Sequence, residues 1–135
     1  MTYSESPLKP KQVKKIYTIS GVNLSFTNSE ERYRGRDDLI LISFKNKSNF
    51  AGVFTRSTTA SEAVKWCQKI IKKNDIRAII VNAGNANVFT GVLGKSAINK
   101  IISKLSSCLK IYKNQILIAQ TGVIGEPLKT HKIVD

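Results

Sequence analysis

Apolar positions fall in short blocks separated by polar, glycine-rich or asparagine-rich stretches, and their spacing changes along the chain. Residues 1–15 are polar, carry Pro7 and Pro10, and read as a flexible lead-in to one domain over 16–135. Residues 16–26 alternate loosely around Gly21 and predict one or two short strands. A polar loop over 28–38 contains Tyr33-Arg34-Gly35-Arg36. The apolar run 39–44 predicts a strand, 46–49 a turn and 50–55 a second strand, so the two are expected to pair as a hairpin.

The spacing then becomes helical. Thr58, Thr59 or Ser61 can cap a helix, Glu62 suits its first turn, and Val64, Cys67 and Ile71, with Trp66 and Ile70 beside them, mark a buried face. Asn74 and Asp75 end it. Residues 76–82 form a nearly continuous apolar run, the pattern of a strand covered on both sides. A loop over 83–91 is rich in residues that tolerate positive φ. A second helix is predicted from about 94 to 109, with Ile98, Ile101, Ile102, Leu105 and Cys108 on one face. A strand follows at 116–119, then a sharp turn over 120–125, and Pro127 stands where a first helical residue would. Crossovers of this length predict parallel pairing through βαβ units, hence an α/β or mixed α+β fold. The last predicted helix is cut after about two turns at Asp135, so the chain is expected to be a piece of a longer protein.

Composition bounds the class. The chain has 135 residues, 41% of them hydrophobic, enough for one domain that buries about two-thirds of its unfolded surface. No apolar run approaches the roughly 18 residues of a membrane helix, and the lysine-bearing start lacks an apolar signal segment. Two cysteines make neither a disulfide framework nor a metal-ligand cluster, so a soluble, cytoplasmic protein with reduced thiols is expected, without membrane partners.

The formal net charge of +13 raises a second reading, a basic nucleic-acid-binding module. Most of that charge is lysine spread along the chain. The only dense N-terminal cluster is Lys9, Lys11, Lys14 and Lys15, while Lys69, Lys72 and Lys73 complement a helix C-terminus. Arginine occurs only at 32, 34, 36, 56 and 77, and no basic–aromatic alternation of a single-strand binder is present. A solvated lysine surface accounts for the charge with fewer assumptions.

Conventional catalytic sets are missing. His131 is the one histidine and sits among lysines near the terminus. Cys67 and Cys108 lie mid-helix on the apolar face and read as core. Glu30, Glu31, Asp37 and Asp38 share one polar loop rather than a cleft. Gly91-x-x-Gly94-Lys95-Ser96 ends like a phosphate-binding loop, but its first glycine is wrongly spaced. Two segments remain, each beyond the C-terminal end of a predicted strand, where ligands of α/β sheets gather: Asn82-Ala83-Gly84-Asn85-Ala86-Asn87 and Thr121-Gly122. A hydroxyl and a backbone N–H aimed at one point can stabilise an oxyanion, although such a pair is also an ordinary turn.

Four motifs, in order and spacing, resemble the N-terminal part of ornithine acetyltransferase, the ArgJ family. They are Gly52-Val53-Phe54-Thr55-Arg56; Arg77-Ala78-Ile79-Ile80-Val81-Asn82-Ala83-Gly84-Asn85-Ala86-Asn87; Thr90-Gly91; and Thr121-Gly122-Val123-Ile124-Gly125-Glu126-Pro127-Leu128. The stretch from Arg32 through Leu39 is similar too, and the resemblance covers roughly 18–133. It implies a layered α/β sandwich of the DmpA/ArgJ-like type, shared with self-processing N-terminal-nucleophile proteins. It implies acetyl transfer from N-acetylornithine to glutamate in arginine biosynthesis, with acetyl-CoA a second donor in some members. It also implies a precursor that cuts itself into α and β chains, which stay together as an α2β2 assembly, and a new N-terminal threonine of β as nucleophile. In the family's pattern Thr121 and Gly122 supply the oxyanion hole. The family's cleavage site, a Lys-x-x-x-Thr-Ala-Thr-Gly-like stretch, falls beyond residue 135, so no nucleophile is expected within this chain and the 135 residues alone are expected to be inactive. Exchange of one amide for another is nearly balanced, so no nucleotide is required to drive it, and no metal and no cofactor are expected.

Overall fold

Over the described residues, 17–73 and 75–135 together with Pro7, Leu8, Gln12 and Lys15, the computed structural model contains one four-stranded sheet in the order β1-β2-β3-β4. Most of the lead-in 1–15, and Asn74, expected to end the first helix, lie outside the described residues. The strands are β1 (Val22–Thr27), β2 (Leu39–Ser48), β3 (Ile76–Asn85) and β4 (Ile116–Val123); the helices are α1 (Glu62–Ile70), α2 (Gly91–Leu109) and the short α3 (His131–Val134). β1 pairs antiparallel with β2, β2 antiparallel with β3, and β3 parallel with β4. The expected βαβ unit is therefore present once, as β3-α2-β4.

The expected hairpin is not formed. β2 pairs with β1 and β3, and 50–55 is not a strand; Phe50 and Phe54 instead line a cleft of about 330 Å3 with Ile79 and Leu117. Nor is 46–49 a turn, because β2 runs through it to Ser48 after an irregularity in its pairing with β3. Backbone pairing and the Arg77 guanidinium, which donates to the Phe44 and Lys45 carbonyls, hold this polar end; hydropathy does not register either.

α1 begins where a side chain can cap it. Ser61 takes an extended conformation and its hydroxyl accepts from the Val64 N–H at 3.2 Å, so Ser61 rather than Thr58 or Thr59 is the cap. β4 ends the sheet, and α1 lies against it. Trp66 Nε1 donates to the Ile116 carbonyl at 2.9 Å and Cys67 Sγ to the Ile118 carbonyl at 3.3 Å, supplying donors to an edge strand. α2 starts one turn earlier than its apolar spacing suggests and stops at Lys110 in the left-handed region, whose N–H reaches back to the Ser106 and Ser107 carbonyls.

The core lies between the helices and one face of the sheet, with Leu117 of β4 buried on the other. Along β3 the even positions Ile76, Ala78, Ile80, Asn82 and Gly84 are buried, while Arg77, Ile79, Val81 and Ala83 are half-buried. Ile98, Ile101 and Ile102 of α2, Ala63, Cys67 and Ile70 of α1, and Ile116 and Ile118 of β4 complete this core. Each such large aliphatic side chain contributes about 1.5–3 kcal/mol by leaving water. Two expectations fail here. Cys108 is exposed, because the packed stripe of α2 continues through Leu105 and Leu109 and passes it by. The helix expected from 126 or 127 begins only at His131: the Glu126 carbonyl accepts from Asn85 Nδ2, and Leu128 is drawn into the core. Among the described residues no helix is long and apolar enough to cross a membrane.

Candidate functional site

Thr121 and Gly122 do not form a turn. β4 continues through Val123, so both lie in the parallel ladder, Thr121 opposite Ala83 and Gly122 opposite Gly84. Both are exposed, and the Thr121 hydroxyl has no hydrogen-bond partner among the described residues. Gly122 has φ +132°, a conformation that L side chains rarely adopt, and a Cβ there would collide with the Gly84 carbonyl and the Asn85 amide. Position 122 therefore requires glycine, on conformation and on space. A strand end held this way presents a free hydroxyl beside a backbone that no side chain shields.

The Asn-rich segment is what holds it. The expected loop 83–91 is in fact strand through Asn85, and its asparagines are buried along with Asn82 before it: Asn82 at 2% exposure, Asn85 at 2% and Asn87 at 0%. Buried amides must find partners, and these do. Asn82 Nδ2 donates to the Asn85 carbonyl at 3.1 Å, and Gln120 Nε2 donates to Asn82 Oδ1 at 2.8 Å. Asn87 Nδ2 reaches both Gln120 Oε1 at 3.1 Å and the Gly94 carbonyl at 3.2 Å, while Thr90 Oγ1 donates to Asn87 Oδ1 at 2.7 Å. Asn85 Oδ1 accepts from the Asn87 N–H at 2.8 Å. Backbone bonds from Ala86 N to the Val123 carbonyl and from Gly125 N to the Val88 carbonyl, both 2.9 Å, close the network. It ties the ends of β3 and β4 to the first turn of α2. Gly94 has no Cβ because one would strike Thr90 Oγ1 and Asn87 Oδ1. Gln120, inside the expected turn, is a network member that sequence reasoning missed; its position one residue before Thr121 was the available signal.

The acidic loop is likewise not all solvated. Glu31 at 4% and Asp38 at 3% exposure are buried, whereas Glu30 and Asp37 are exposed. Asp38 Oδ1 accepts from the Ser29 N–H at 2.6 Å. Glu31 Oε1 takes the Lys129 N–H at 3.4 Å, and the Glu31 carbonyl takes Lys129 Nζ at 3.0 Å, joining this loop to the segment after β4. Glu31 Oε2 borders Gly84: a Cβ on that glycine would lie 3.1 Å from it. Three of the five arginines make intramolecular contacts: Arg32 pairs with Glu126 at 2.9 Å, Arg36 stacks on the Tyr33 ring, and Arg77 binds carbonyls. His131 is exposed, as expected of a solvated residue. Burial pushes the Cys67 thiol above its ordinary value, opposite to what an activated nucleophile needs. Among the described residues no group of three or more His, Cys, Asp or Glu could hold a metal ion.

Known proteins place this arrangement. The chain is 41% identical over its whole length to the arginine biosynthesis bifunctional protein ArgJ of Bartonella quintana and 42% identical over 98% of its length to that of Bradyrhizobium diazoefficiens. It spans about a third of the length of these curated relatives, 33% and 32%. The fold superposes on the crystal structure of ArgJ from Bacillus halodurans with a TM-score of 0.80 at 27% identity, covering 85% of this chain and 60% of that one. It superposes on ornithine acetyltransferase from Mycobacterium tuberculosis, solved with ornithine, with a TM-score of 0.75 at 26% identity, covering 85% and 63%. With the ArgJ family profile matching residues 23–135, the chain belongs to the ArgJ family.

Proposed function

We propose that this chain supplies the oxyanion-stabilising part of a glutamate N-acetyltransferase of arginine biosynthesis, with Thr121 and Gly122 as the donors. The observation that carries this reading is the end of β4: an exposed threonine hydroxyl without a partner, beside a glycine that φ and space both require. The solved relative that holds ornithine supports the substrate class.

The chemistry fits such a pair. A threonine hydroxyl attacks the acetyl carbonyl of N-acetylornithine, the tetrahedral oxyanion collapses, and ornithine leaves with the proton, leaving an acetyl ester on the threonine. The glutamate amine attacks that ester through a second oxyanion, N-acetylglutamate departs, and the hydroxyl is restored. One fixed pair of donors serves both steps, and each donor of this kind is worth roughly 3 kcal/mol in the transition state. The attacking threonine lies outside this chain, at the new amino terminus of a β chain of the same precursor, and its own amine serves as base. Amide-for-amide exchange is nearly balanced and needs no nucleotide to drive it. The complete enzyme is an α2β2 assembly in the cytoplasm. Coverage supports a two-chain enzyme: this chain spans 33% of a curated relative but 60% of a solved chain, which is therefore much shorter than the curated sequences.

The test is turnover of N-acetylornithine with glutamate by the complete protein. Thr121→Ala is expected to lower it about 100-fold without loss of folding. The 135-residue chain alone is expected to show none, and turnover above the buffer control would contradict that expectation. Replacing N-acetylornithine by acetyl-CoA in the same assay decides whether the thioester is a second donor.

A further inference from the structure

Thr121 and Gly122 sit between two anchored points of the chain. After them, the Val123 carbonyl accepts from the Ala86 N–H at 2.9 Å and the Glu126 carbonyl from Asn85 Nδ2 at 3.0 Å. Both of those bonds end on backbone carbonyls, which every residue type supplies. Before them, the anchor is a side chain. Gln120 stands directly opposite Asn82 in the parallel ladder, and its amide is held at both ends: Nε2 donates to Asn82 Oδ1 at 2.8 Å, and Oε1 accepts from Asn87 Nδ2 at 3.1 Å.

Successive side chains of a strand point to opposite faces, so Gln120 shares the helix side of β4 with Ile116 and Ile118, and Thr121 takes the other. The amide is thereby placed where packed elements can grip it. Asn82 is buried in β3, and its Nδ2 also ties the end of that strand through the Asn85 carbonyl. Asn87 is fully buried at φ +50°, a region where asparagine is enriched among residues other than glycine, and the Gly94 carbonyl and Thr90 hydroxyl pin it to the start of α2. Donors and acceptors match only if position 120 is an amide. A carboxylate there would set an oxygen against Asn82 Oδ1, and an apolar side chain would take the Gln120 donor away from it.

We propose that Gln120 is a positioning residue for the oxyanion pair: its amide, gripped on the helix side of the sheet, fixes where the Thr121 hydroxyl and the Gly122 N–H stand. The inference deepens the proposed function and rests on it for the reaction. Oxyanion donors act by standing in place before the charge develops, and a misplacement of about 1 Å at a reacting centre can cost roughly 100-fold in rate. Gln120 points away from the side that carries Thr121 and acts only through the two residues that follow it. Its loss therefore lowers kcat and leaves KM unchanged.

The experiment measures kcat and KM for N-acetylornithine, with glutamate saturating, on the complete protein carrying Gln120→Met, which keeps the length of the side chain and removes both hydrogen bonds. A fall in kcat of about 10-fold is expected, with KM within about two-fold of the parent's. Should that variant not fold, Gln120→Glu, isosteric and still an acceptor for Asn87, carries the same expectation. Ile118→Val loosens the packing on the same side of the same strand without touching the amides; it is expected to lower the thermal midpoint yet leave kcat within about two-fold of the parent's. A parent-like kcat at position 120, a change in KM in its place, or an equal loss of kcat in Ile118→Val overturns the inference. A double-mutant cycle with Thr121→Ala separates it from the proposed chemistry. In that background Gln120→Met is expected to cost less than in the parent, because one of the two donors it positions is gone. Full additivity, with Thr121→Ala itself strongly impaired, overturns the positioning role and leaves the chemistry standing; parent-like turnover by Thr121→Ala sinks the chemistry and the positioning role with it.

Discussion

The two faces of one sheet differ in what their hydrophobic side chains do. On the helix-covered face Ile102 and Ile116 have 0% exposure, and burial there holds the chain together. On the open face Leu24, Phe26 and Ile40 are as apolar yet largely in water, and stabilise this chain little. Residues of one chemical type are thus buried on one side and in water on the other, and Thr121, opposite Ala83, lies in register with the exposed side.

Substitutions can break or sharpen that contrast. Ile102→Ala, on the covered face, is expected to cost about 2–5 kcal/mol and to lower the thermal midpoint of the isolated chain strongly. If it melts like the parent, the helices do not carry the core. Gly122→Ala places a Cβ against the Gly84 carbonyl in a left-handed backbone, and a loss of about 1–3 kcal/mol is expected in the same melt. A neutral Gly122→Ala would show that the ends of β3 and β4 are not as close as described.

The smallest effect concerns the thiols. Exposed Cys108 should react with a thiol reagent in the native state, and Cys67 only after unfolding. The folded thiol of Cys67 ionises at higher pH than the unfolded one, so the unfolded chain releases a proton that the folded chain retains. The associated stability is complete below the unfolded value, about 8.5, and declines as pH rises above it. Cys67→Ser should remove that alkaline decline; an undiminished decline would assign it to other groups.

Much of this was legible in the residues. Helical spacing located α1 and α2, the run at 76 located β3, and the motifs around Asn82 and Thr121 identified the family. The rest depends on forces that hydropathy does not register. The polar end of β2 is paired by its backbone and by Arg77, so 46–49 reads as a turn. Gln120 to Val123 reads as a turn because its glycine and polar residues resemble one, whereas in three dimensions Asn82, Asn87 and Gln120 satisfy one another and extend the strand. Burial of Glu31 and Asp38 follows from packing against segments distant in sequence, and no local pattern announces it. The apolar run of β3 indicated burial on both sides; its even positions are buried and its odd positions 77 to 83 half-buried.

The most direct measurement of the central claim is acetyl transfer by the complete protein carrying Thr121→Ala, set beside Thr121→Ser and the parent, with thermal melts of all three. The account predicts unchanged melts, turnover near the parent's for Thr121→Ser, and a fall of about 100-fold for Thr121→Ala. Turnover within two-fold of the parent for Thr121→Ala, by a protein that melts normally, would contradict it.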